Sequence, residues 1–154
     1  MARDKYLSIY LNDHLAALVA LRDVTRRSRR SNDGSALGRY LEDVAAELEE
    51  SRAKLEQVMD DLKVRRDPFK RAAAWAAEKA GRLKLNGHLV RYSPLSRVLE
   101  LEGLILGAEL EARTWEAIGR RLPEDVGSLS ARCERRKEEL VRHHREAVRV
   151  ALGG

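Results

Sequence analysis

The chain is poor in the residues that most often carry chemistry. It has one cysteine, Cys133, in 154 residues, so no intrachain disulfide can form and a reducing, cytoplasmic setting is expected. Aromatic residues make up 5% and prolines number three. No run rich in Val, Ile, Thr and aromatics alternates with period two, which argues against strands. No apolar stretch reaches the ~18 uncharged residues of a membrane span, and the N-terminus MARDKYLSIYLNDHL alternates polar and apolar groups rather than forming a signal peptide. Phosphate-cradling loops, dinucleotide fingerprints and nucleophile elbows are missing, and no aromatic platform accompanies the arginines.

What is abundant is Leu, Ala, Glu and Arg, the composition of a helical protein long enough to bury one core, and residues 1–154 read as a single domain. Charged residues make up 36%, with a formal charge of +5. Acids and bases interleave along most helices, as on solvated faces. The exception is Arg22 to Arg30, where five arginines meet one acid, Asp23. Because this cluster ends the first helix, where cations suit the helix dipole, a structural reading is preferred to a phosphate-binding patch.

Caps and breakers punctuate the chain. A helix is predicted over Asp4–Arg27 with the stripe Leu7, Leu11, His14, Leu18 and Leu21. Asp33–Gly34 forms a turn and Ser35 an N-cap for a second helix to Leu62, striped by Leu41, Ala45, Leu48, Arg52, Leu55 and Met59. Asp67–Pro68 starts a shorter helix to about Leu85, with Trp75 to one side of an alanine-rich stripe and Asn86–Gly87 as its stop. Ser93–Pro94 opens another long helix to about Leu122. The last starts between Asp125 and Ser128 and runs to about Leu152, striped by Leu129, Cys133, Lys137, Leu140 and His144. The expected fold is all-α, a four-helix bundle with a short extra helix between the second and third long ones.

The run from Ser93 to Trp115 is the most apolar, yet it holds Glu100, Glu102 and Glu109, together with Gly103 and Gly107. Glu102 and Glu109 share a face about 10.5 Å apart, whereas Glu100 turns toward solvent. Acids on an apolar helix imply a metal site or a buried ion-pair network. Two-metal bundles use Glu-x-x-His on two helices. No His here has a Glu three positions earlier. His14, Arg52 and His144 sit on the core stripes of three other helices, so all five polar residues can converge inside one bundle. Arg52 favours the ion-pair reading, because a fixed cation repels a divalent metal but gives bidentate hydrogen bonds to Glu102 or Glu109. Gly103 and Gly107 are read as points of close helix contact.

The helix order resembles that of ferritin-like four-helix bundles. The strings Tyr10-Leu-Asn-Asp-His14, Lys84-Leu-Asn-Gly87 and Tyr92-Ser-Pro-Leu-Ser-Arg-Val-Leu-Glu-Leu-Glu-Gly103 look like a bacterial family of that architecture. The resemblance implies the fold, and di-iron or di-manganese oxidoreductase chemistry where the family's ligands are kept. The missing Glu-x-x-His pairs depart from that pattern.

The preferred expectation is a non-catalytic bundle without a cofactor, acting through protein contacts, a homodimer among them. Two alternatives remain. One is a metal-binding enzyme using His14, Glu102, Glu109 and His144 with iron or manganese. The other is a basic, nucleic-acid-associated protein using Arg22 to Arg30.

Overall fold

A computed structural model describes residues 2–67, 92–122 and 126–153. Four long helices occupy these residues, and no strand occurs among them: α1 (Ala2–Ser31), α2 (Ala36–Asp61), α3 (Pro94–Gly119) and α4 (Gly127–Val148), the last continued by a π-helical turn over Arg149–Gly153. The short helix expected from Pro68, with Trp75 and Asn86–Gly87, lies outside the described residues.

The start signals act locally. Gly34 takes a positive φ of 74° in the turn after α1, and the Ser35 hydroxyl accepts a hydrogen bond from the Gly38 backbone at 3.0 Å. Ser93 and Ser96 form a reciprocal capping box, with Pro94 inside the first turn, so the orphan amides of α3 find partners. Lys63, just past the end of α2, also has positive φ, at 54°. α1 runs four residues beyond the sequence expectation, and α3 ends three residues short of it.

Neighbouring helices run antiparallel around the bundle. Arg22 meets Glu49 and Arg29 meets Glu42 across α1 and α2. Arg27 meets Glu100 across α1 and α3, whose lower halves meet where His14 faces Thr114. Across α3 and α4, Glu102 meets His144 and Glu116 meets Ser130. α2 and α3 therefore run in the same direction. Asn12, near the start of α1, binds the Arg65 carbonyl and the Asp67 amide. At the other end, Asn32 donates to the Tyr92 hydroxyl at 2.8 Å. Asp67 and Tyr92 thus lie at opposite ends of the bundle, whose length is about 39 Å for the 26 residues of α2.

Core side chains form two clusters along the axis. One centres on Leu11, Leu55, Met59 and Trp115, the other on Leu41, Leu101 and Leu140, all fully buried. Each such leucine contributes about 1.5–3 kcal/mol by leaving water, and truncation to alanine at Leu55 would cost about 2–5 kcal/mol.

Candidate functional site: a buried ion pair beneath an exposed apolar face

The stripe of α3 that faces inward is Leu104, Ala108, Glu111, Trp115 and Ile118. Its one acid is met by Arg136 of α4. Nη1 of Arg136 donates to Oε2 of Glu111 at 2.7 Å, and the two side chains are 3% and 2% exposed. Trp115 donates its indole N–H to the other Glu111 oxygen at 3.2 Å. Nε of Arg136 donates to Glu47 of α2 at 2.8 Å, and the Tyr40 hydroxyl donates to the Arg136 carbonyl at 3.2 Å. A buried carboxylate needs such partners or it takes up a proton.

The surroundings set the protonation states. Burial would push the Arg136 guanidinium down, but Glu111 and Glu47 outweigh it and hold it above its ordinary value. Burial, reinforced by the neighbouring Glu111 charge, pushes the Cys133 thiol up to about 12. Burial likewise pushes the Tyr40 phenol up to about 12, with Glu47 adding to it. The Arg136 guanidinium therefore stays charged, and the thiol beside it is no nucleophile at neutral pH.

An ion-pair network exists, but with different members from those expected. Arg52 does not reach α3: it pairs with Glu49 and Glu56 on its own helix, at 2.6 and 2.5 Å. Arg52 and Arg22 together hold the Glu49 carboxyl below its usual range. Glu102 is exposed and pairs with His144 at 3.2 Å on the surface. Glu109 is half-buried between Lys137 and Arg113, whose hydrogen bonds lower its carboxyl. His14 stays half-buried on α1, where its Nδ1 lies 2.7 Å from the Tyr10 carbonyl. Of the five expected to converge, only Glu102 and His144 meet. Glu100, expected in solvent, is buried and paired to Arg27 at 3.0 Å.

The reason is rotational. The buried line of α4 runs through Cys133, Arg136, Leu140 and Ala147, not through Lys137, and neighbouring residues on a helix differ by about 100°. Glu111 and Trp115, four apart in line with Leu104 and Ala108, were the signal that sequence reasoning passed over. The glycines also separate. A Cβ on Gly107 would lie 2.3 Å from Leu21, so α1 and α3 approach closely there. A Cβ on Gly103 would meet nothing within 4 Å, so Gly103 is not a point of close packing.

Between α1 and α3, His14, Gly107, Glu111 and Thr114 border a cavity of about 10 Å³, room for about one water. Among the described residues no group of three or more His, Cys, Asp and Glu side chains is placed to hold a metal ion. In the arginine cluster, Arg22, Arg26, Arg27 and Arg29 each meet a carboxylate. No described helix is long and apolar enough to cross a membrane.

The outer side of α3 is unlike the rest of the surface. Tyr92, Leu95, Leu106, Leu110, Val150 and Leu152 are all exposed, Leu106 by 71%, and they lie on α3, directly before it, or on the turn packed against it. Elsewhere among the described residues the exposed large apolar side chains are Tyr6 and Ile9. Comparison of the chain with protein-family models, with curated proteins and with solved structures finds no match.

Proposed function

We propose that this chain is a non-catalytic helical bundle that works by protein contact, and that the outer face of α3 is the contact surface. The carrying observation is the collection of six exposed apolar side chains on and beside that one helix. A surface helix of a self-sufficient bundle is polar on its outer side. α3 is apolar inside and carries Leu95, Leu106 and Leu110 on its outer side beside Glu102, Arg113 and Glu116, and exposed apolar side chains gathered on one element mark an interaction site. The interior supports the same reading: Arg136 and Glu111 are engaged with each other, and the thiol beside them is held protonated.

The shared direction of α2 and α3, with Asp67 and Tyr92 at opposite ends of the bundle, supports a bundle of ferritin-like type. A cytoplasmic location fits the lone, protonated Cys133.

The test places a photo-crosslinking amino acid at position 106, with the exposed Glu138 of α4 as the control position, in the organism that makes the chain. Crosslinks from position 106 that vanish with Leu110→Glu, and none from position 138, are expected. An absence of crosslinks from position 106 would refute the reading.

A further inference from the structure

The outer face of α3 has a regular pattern of its own. Leu99, Gly103, Leu106, Leu110, Arg113 and Ala117 follow one another at steps of four, three, four, three and four. This spacing keeps the six residues on one face of the helix, a ridge along which a second helix can pack. It is separate from the inward line through Leu104, Ala108 and Trp115. All six positions are exposed or half-exposed.

We infer that the occupant is α3 of a second copy of this chain, packed antiparallel about a twofold axis at the level of Ala108. The inference rests on the proposed contact role of this face and names its partner. In this register Leu106 of each copy meets Leu110 of the other, and Leu99 meets Ala117. Arg113, the one charged residue of the seam, then lies over Gly103, the one residue without a side chain. Gly103 is an open notch, with nothing within 4 Å of where a Cβ would be. The Arg113 side chain is 58% exposed and meets Glu109 and Glu116 on its own helix at 2.7 Å, so its guanidinium can exchange these contacts for Glu102 of the second copy across the notch. Glu102 is itself 49% exposed, and in its own chain it meets His144 at 3.2 Å.

A parallel pair is worse on the same residues. It sets Arg113 against Arg113 and leaves Gly103 facing Gly103, a like-charge contact and a void. In the antiparallel pair the Glu109 residues approach one another near the axis. Each keeps Lys137 of its own chain at 2.5 Å, so neither arrives as an unpaired charge.

A single helix seam buries less than the roughly 800 Å² per partner of a standard stable interface, so a reversible, micromolar dimer is expected. Sedimentation equilibrium of the full chain from about 1 to about 200 µM should show the mean mass rising from monomer toward dimer. Leu106→Glu should hold it at monomer across that range. Gly103→Leu has room in the monomer but fills the notch, so it should weaken association about tenfold or more while the helical circular dichroism is unchanged.

A wild-type chain that stays monomeric throughout overturns the inference. So does a dimer indifferent to both substitutions. The crosslink from position 106 separates this failure from that of the contact role. A product of twice the chain's mass supports the second copy. A product with another protein overturns the second copy and leaves the face as a protein contact. No product overturns both.

Discussion

Arg136 and Glu111 face each other across α4 and α3 at 2.7 Å, with 3% and 2% of their side chains exposed. The pair joins three helices, because Arg136 also reaches Glu47 on α2.

Removing one partner strands the other charge in the core. Arg136→Ala or Glu111→Ala is expected to destabilise the chain by about 3–5 kcal/mol in urea melts. Replacing both together by Met and Leu should recover most of that loss, since apolar substitutes need no partner. Arg52→Ala should cost less than about 1 kcal/mol, because its partners lie along one helix at the surface. An equal loss from Arg52→Ala and Arg136→Ala would show that Arg136 and Glu111 are not the buried pair.

The two glycines of α3 should respond with opposite sign. Gly107→Ala sets a methyl 2.3 Å from Cδ2 of Leu21, a side chain packed against both core clusters, and should cost about 1–3 kcal/mol. Gly103→Ala meets nothing and should stabilise by about 0.5–1 kcal/mol through helix propensity. Thermal melts of the two variants check the sign. A gain at position 107 would mean that Leu21 gives way freely.

His143 gives a pH dependence with a definite sign. Its ring stacks on Tyr40, with centroids 5.2 Å apart, and burial followed by the Arg142 charge lowers its pKa from the ordinary value. Glu139 lies 4.0 Å away, beyond hydrogen-bonding distance, and is engaged by Arg142, so it does not reverse the shift. Between the lowered folded value and the unfolded value of about 6.5, the unfolded chain binds the proton and the folded chain does not. This contribution is therefore complete above about pH 6.5 and is lost as the pH falls below it. His143→Gln should flatten the stability profile in that window. An unchanged slope between about pH 6.5 and pH 5 would rule His143 out as its source.

Cys133 should resist alkylation while the chain is folded. Its thiol is buried and pushed up to about 12, so little thiolate forms at neutral pH. Iodoacetamide should label it in urea and leave it intact in buffer, as read by intact mass. Rapid labelling of the folded chain would show that the site opens.

Much of the architecture was legible from local signals. Ser35 and the Ser93–Pro94 start announced two of the helices because a cap satisfies amides a few residues away and needs no distant partner. The seam of α1 was equally readable, since Leu11 and Leu18 lie at helical spacing and both are buried. On α3 the same method failed for Glu100, Glu102 and Glu109. That helix is apolar around most of its circumference, so periodicity there could not distinguish the inward side from the outward one.

The sequence by itself therefore determined that the chain is helical, where most of its described helices start, and that acids had to be neutralised somewhere along α3. Only the tertiary structure decided which acids are buried and which cations meet them. The choice between Arg136 and Lys137, or between Glu111 and Glu109, is a rotation of a helix about its axis. That rotation is set by what α1, α2 and α4 press against, Leu21 at Gly107 and Tyr40 at Arg136 among them. It also left Leu106 and Leu110 outward, on the face proposed to meet another chain.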